Sequence, residues 1–100
     1  MPQLTVSLEH KLGKEEAMRR IRGAIHQLKY RLAETVTELQ ESWEDGRAAF
    51  SFRVKGMSVE GTLNVEPLRV ELTSRFPKAA LIFKKKAEKD IERKARRLLA

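Results

Sequence analysis

The sequence predicts an α+β domain: an antiparallel sheet of about five strands in the order β-α-β-β-β-β-α, with two helices packed on one face. Three observations predict it. QLTVSLE near the start alternates between polar and apolar residues, the period of a half-buried strand. Two stretches, one from about Lys14 and one after Pro77, repeat apolar residues by threes and fours, as amphipathic helices do. Between them, Asp45-Gly46, Gly56-Met57 and Pro67 punctuate short runs rich in strand-forming residues, a series of hairpins.

The elements follow in order. In the first strand Leu4, Val6 and Leu8 share one face, and His10-Lys11-Leu12-Gly13 ends it. The first helix carries Glu15 and Glu16 in its first turn, where acids complement the helix dipole. Its stripe is Ala17, Met18, Ile21, Ile25, Leu28 and Leu32, with Arg19, Arg22, His26 and Lys29 expected on the opposite side. The Asp45-Gly46 turn sets a register pairing Glu44 with Arg47 and Trp43 with Ala48. Continued, it pairs Leu39 with Phe52, Thr37 with Val54 and Glu38 with Arg53. A Gly56-Met57 turn pairs Val54 with Val59, Phe50 with Leu63, Ala48 with Val65, Arg53 with Glu60 and Arg47 with Glu66. Gly61 then lies opposite Phe52 and leaves room for its ring. The last strand points Leu68, Val70 and Leu72 inward, after an irregular loop that holds Pro67. Gln40, Ser51, Thr62, Asn64 and Thr73 fall on the outer, wet face. Pro77 opens the final helix, whose stripe is Ala80, Phe83, Ala87, Ile91, Ala95 and Leu98.

One hundred residues with 41% hydrophobic and 35% charged content make one globular domain, 1–100. The absence of cysteine excludes disulfides and thiolate metal sites. No signal peptide and no long apolar run is visible, so a soluble cytoplasmic protein without a transmembrane segment is expected. The net charge is +7, and nine basic against three acidic residues place most of it in 76–100. A strongly basic end points to an acidic partner: protein, anionic lipid or nucleic acid.

Catalytic constellations are missing from the sequence. The two histidines, His10 and His26, sit on different elements, and the two aspartates are Asp45 in a turn and Asp90 in the basic helix. No nucleophile elbow or phosphate-binding loop occurs, and neither a metal site nor a cofactor is expected. The chain is expected not to be an enzyme.

Two polar residues are pocket candidates. His10 reads first as a loop imidazole bonded to backbone near the helix start, and second as a polar group at a pocket rim. Glu41 has the parity of Leu39 and Trp43, which points it inward opposite Phe50. A buried, unpaired carboxylate there has a raised pKa. A bulge or an exposed sheet edge is the weightier reading, and a ligand anchor the other. Trp43, Phe50, Phe52, Phe76 and Phe83 are expected to form one core cluster rather than a stacking platform.

In the final helix, Asp90 can pair with Lys94 and Glu92 with Arg96. Lys85, Lys89, Arg93 and Arg97 recur every four residues as a basic row. A solvated face is the plain reading of that row, and a partner-binding face the functional one.

The run HKLGKEEAMRRI, a Trp before a DG turn, FSFRVKGMSVEGTLNV, and FPKAALIF leading into a basic helix together resemble the polyhydroxyalkanoic acid system protein family. His10, Leu12, Gly13, Gly56 and Gly61 match its pattern. The resemblance implies a small non-catalytic accessory protein of the bacterial polyhydroxyalkanoate storage-granule system, touching a granule-coat protein or the granule surface. It brings no catalytic residues with it. Two alternatives remain open: a nucleic-acid- or ribosome-binding basic protein, and a small apolar-ligand carrier with a cavity beside Glu41.

Overall fold

The computed structural model describes residues 2–100. Its elements are β1 (Gln3–Glu9), α1 (Lys14–Arg31), β2 (Val36–Glu44), β3 (Arg47–Val54), β4 (Met57–Val65), β5 (Arg69–Arg75), a 3₁₀ turn (Lys78–Phe83) and α2 (Lys84–Leu98). The five strands form one antiparallel sheet in the order β1-β5-β4-β3-β2. The first strand thus pairs with the last and forms one edge of the sheet, with the β2–β3–β4–β5 meander running away from it to β2 at the other edge.

Alternation does what it predicts in β1: Leu4, Val6 and Leu8 are buried while their neighbours are exposed. In register with them stand Ser74, Leu72 and Val70 of β5. Both helices cover this face. Ala17 and Ile21 of α1 pack with Ala48, Leu63, Val65, Val70 and Leu99, over the middle of the sheet. Ala80, Ala87, Ile91 and Ala95 pack on Leu4, Val6, Leu8 and Phe76, over the β1 edge. Small alanines allow the close approach that this edge requires.

Two contacts tie the N-terminal half of α1 to the rest of the fold. Lys14 at its start pairs with Asp45 in the β2–β3 turn at 2.9 Å. Arg20 is held by Glu16 and donates to the Leu98 and Ala100 carbonyls at 3.0 Å, tying α1 to the end of α2. Hydrogen bonds from Arg19 and then Arg20 lower the Glu16 carboxyl from 4.5 to about 2.

Several registers differ from those the sequence predicts. The Asp45-Gly46 hairpin is as expected from Glu44–Arg47 to Gln40–Ser51. A bulge then sets Glu38 and Leu39 together against Phe52, with Glu38 at φ 53°. Beyond it Val36 pairs with Val54 and Thr37 with Arg53. The extra residue exchanges the faces of the strand, so Val36 rather than Thr37 joins Val54 on the inner side. Glu38 still reaches Arg53, at 3.8 Å.

The next turn is Lys55-Gly56, not Gly56-Met57. Both residues have positive φ, 51° and 77°, as a two-residue turn matched to strand twist requires. The β3–β4 register therefore moves by two residues and keeps every face. Ala48 meets Leu63, Phe52 meets Val59 and Phe50 meets Gly61. The expected Arg47–Glu66 and Arg53–Glu60 pairs do not form. Arg47 bonds Asn64 at 3.1 Å, and Glu60 stands opposite Arg75 of β5.

Leu68 lies in the β4–β5 loop and is 69% exposed, not inward. The loop is closed by the Glu66 amide donating to the Arg69 carbonyl, with Pro67 inside it. Phe83 also departs from its expected place. The segment after Pro77 winds as a 3₁₀ turn before α2 begins, and Phe83 at its end is 56% exposed. The aromatic residues consequently form no single cluster. Phe76 is buried at the β1 edge, Phe50 and Phe52 stack at 6.2 Å on β3, and Trp43 lies beside α1.

Candidate functional site

His10 is only 6% exposed and sits where the β1–α1 loop meets the β4–β5 loop. The Leu12 amide donates to its Nδ1 at 3.2 Å, so Nε2 carries the proton and donates to the Glu66 carbonyl at 3.0 Å. Both ring nitrogens are thus used by the backbone. The imidazole pins two loops and lines neither of the cavities described below.

Glu41 points toward the helix layer, as its parity requires, but it is not an unpaired buried acid. Trp43 donates its indole N–H to the carboxylate at 3.0 Å, and Lys29 of α1 approaches at 3.1 Å. The Trp43 bond, with Lys29 and Arg22, lowers its pKa against the opposing effect of partial burial. The flank of α1 that the sequence assigns to solvent therefore faces β2. Arg22 stacks over the Trp43 ring with its guanidinium 5.0 Å from the centroid.

This arrangement reverses the sign expected of a buried unpaired carboxylate. A lowered folded-state pKa means that ionised Glu41 stabilises the fold. That contribution is complete above the ordinary value of 4.5 and is lost as pH falls through the folded-state value. Glu41→Gln is expected to destabilise the protein at neutral pH by about 0.5–1 kcal/mol, a figure discounted for the solvent that reaches the pair. Urea unfolding of both proteins at neutral and acidic pH checks this, and the difference should shrink on acidification. A more stable Glu41→Gln protein at neutral pH would contradict the pairing.

A cavity of about 140 Å³ does lie beside Glu41, lined by Arg22, Ile25, His26, Lys29, Glu41 and Trp43. Charged groups dominate its wall, so an apolar occupant would strip water from them without replacing their partners. A more open groove of about 560 Å³ adjoins it along Met18, Arg22 and Trp43. Its rim is charged too, with Lys14 already paired to Asp45 and Arg19 to Glu16. The smaller space lacks the apolar lining of a carrier site, and the larger is an open groove that does not enclose a ligand. Among the described residues, no group of three or more His, Asp or Glu side chains could hold a metal ion.

The basic face of α2 is the largest concentration of unneutralised charge. Lys85, Lys89, Arg93 and Arg97 are all exposed. At 100° per residue their row centres opposite the Ala87–Ile91–Ala95 stripe and runs about 18 Å along the axis. Asp90 pairs with Arg93 at 3.1 Å rather than with Lys94, whereas Glu92 pairs with Arg96 as expected. Among the described residues, Lys85, Lys86, Lys89, Lys94 and Arg97 have no ion pair. The structure thus brings the four row residues onto one outward surface and keeps His10 and Glu41 apart from it. Sequence reasoning missed Arg22, Lys29 and Trp43 as partners around Glu41, because they arrive from a helix flank assigned to solvent and from the same strand.

Comparison with curated proteins finds no match. Among the described residues, no helix is long and apolar enough to cross a membrane. The family model of the polyhydroxyalkanoic acid system protein matches residues 4–99, from the first buried leucine of β1 to the buried Leu99 that closes the α1 core. On a match that spans nearly the whole fold, the chain belongs to the polyhydroxyalkanoic acid system protein family.

Proposed function

We propose that this protein is a non-catalytic accessory protein of the polyhydroxyalkanoate storage-granule system, presenting the outer face of α2 to an acidic partner at the granule surface. Family membership supplies the system. The observation that carries the contact is the exposed row Lys85, Lys89, Arg93 and Arg97 on a helix seated by its opposite side. A row that made internal ion pairs would be a solvated brace. This one leaves three of its four members without an acidic partner among the described residues.

The experiment is fractionation of cells that accumulate granules, followed by salt extraction of the granule pellet. The protein is expected in the pellet and should be released as salt screens its charge, since the Debye length falls from about 10 Å at 0.1 M to about 3 Å at 1 M. A protein found only in the supernatant at low salt would overturn the reading. Release with nucleic acid after nuclease treatment would instead favour a nucleic-acid partner.

A further inference from the structure

The 3₁₀ turn before α2 ends in Leu81, Ile82 and Phe83, which are 49%, 82% and 56% exposed. Successive residues of a 3₁₀ helix point about 120° apart, so three consecutive exposed side chains mean that this turn projects from the body. Within the turn it is the half-buried Ala80 that packs against the buried cluster at the β1 edge. Three bulky apolar side chains standing together in water are an unusual surface feature in a chain with 35% charged residues.

Their surroundings say what they fit. Lys78 precedes them and Lys84, Lys85 and Lys86 follow immediately. Of these, only Lys84 has an ion-pair partner, Glu88 at 3.9 Å, among the described residues. The row of α2 then continues the positive charge away from the turn. A protein pocket would take the apolar tip but leave the ring of lysines to be matched one by one. An anionic lipid surface matches both parts at once, with acyl-chain boundary for the tip and headgroup charge for the lysines. The alanine stripe of α2 is already used against β1, so the helix itself does not lie down in the lipid.

We infer that Leu81, Ile82 and Phe83, collared by Lys78 and Lys84–Lys86, form a lipid-surface anchor that inserts into an anionic lipid layer. This rests on the reading of α2 as the contact helix and names its partner as lipid rather than protein or nucleic acid. Attachment would be peripheral, through one turn.

The test is flotation of the full chain with vesicles of phosphatidylcholine alone or mixed with phosphatidylglycerol, for wild type and Ile82→Ser/Phe83→Ser. Both positions are exposed, so the variant should keep the wild-type circular dichroism and melting temperature. Wild type is expected to bind the anionic vesicles and not the neutral ones. Loss of the two apolar groups should weaken binding by about tenfold or more. A Phe83→Trp protein should gain quenching by brominated lipid over wild type, whose single tryptophan is Trp43. Failure of wild type to bind anionic vesicles, or equal binding by the double variant, would overturn the anchor. A wild-type dimer that the double variant converts to monomer would also overturn it, assigning the tip to a second copy. Granule sedimentation that persists while vesicle binding fails removes the anchor alone. Absence from granules removes the wider functional reading.

Discussion

Gly61→Val is expected to destabilise the domain by about 3 kcal/mol, the upper range for forcing bulk into a packed site. The glycine lies in β4 opposite Phe50. A Cβ at Gly61 would stand 2.5 Å from the Thr73 carbonyl oxygen of β5 and 2.6 Å from Cζ of the Phe50 ring. The ring can turn, but the carbonyl belongs to the sheet ladder and can move only with its strand. Valine adds two further methyl groups in the same space. Urea unfolding should therefore show a lower midpoint at an unchanged m-value. Adding Phe50→Ala should recover only the part of the loss that belongs to the ring. A Gly61→Val protein within about 0.5 kcal/mol of wild type, the range of an ordinary surface change, would contradict this packing.

Leu4→Ala should cost about 3 kcal/mol through lost burial and the cavity left behind. Leu4 is 3% exposed and lies in the cluster of Val6, Leu8 and Phe76 on which α2 rests. The cavity would open under α2 at the sheet edge, where β1 has a strand on one side only. Amide exchange should rise more in α2 than in α1, which is seated on a separate cluster. Leu81→Ala is the contrast, because the same deletion at a 49% exposed position should change stability by less than about 0.5 kcal/mol. Equal costs at the two leucines would mean that the 3₁₀ turn is packed after all.

These two sites show how far the sequence reading reached. Alternation in QLTVSLE buried the correct three residues, and the Asp45-Gly46 signal placed the first hairpin. The sequence marks Gly61 as the space for an aromatic ring, but points to Phe52 where the structure places Phe50. The error has a local cause: the turn puts Lys55, a residue with no special tolerance for it, at positive φ. Composition does not announce that. A shift of two residues preserves the faces, so apolar partners still met apolar partners and the misread pairing looked consistent.

The bulge at Glu38-Leu39 escaped for a related reason. Counting along a strand assumes one residue against one, and only the chemistry of Val36 beside Val54 hinted otherwise. Phe83 departs from its expected place because a 3.6-residue period does not hold through a segment that winds as 3₁₀. Glu41 illustrates a different limit. Its direction was readable from parity, but its partner Lys29 comes from another element whose lateral position no period encodes. The basic row was fully legible, since spacing by four on a helix with a clear apolar stripe determines which side meets solvent.

The role proposed for this row is to meet a partner and not to hold the fold. Replacing Lys85, Lys89, Arg93 and Arg97 together by glutamine should leave the melting temperature at or slightly above that of wild type, because like-charge neighbours are removed. The direct measurement is the fraction of this folded variant that sediments with granules at low salt, beside wild type in the same cells. The expectation is that wild type sediments and the variant stays largely in the supernatant. Equal sedimentation of the two folded proteins would contradict it and leave the row a solvated face.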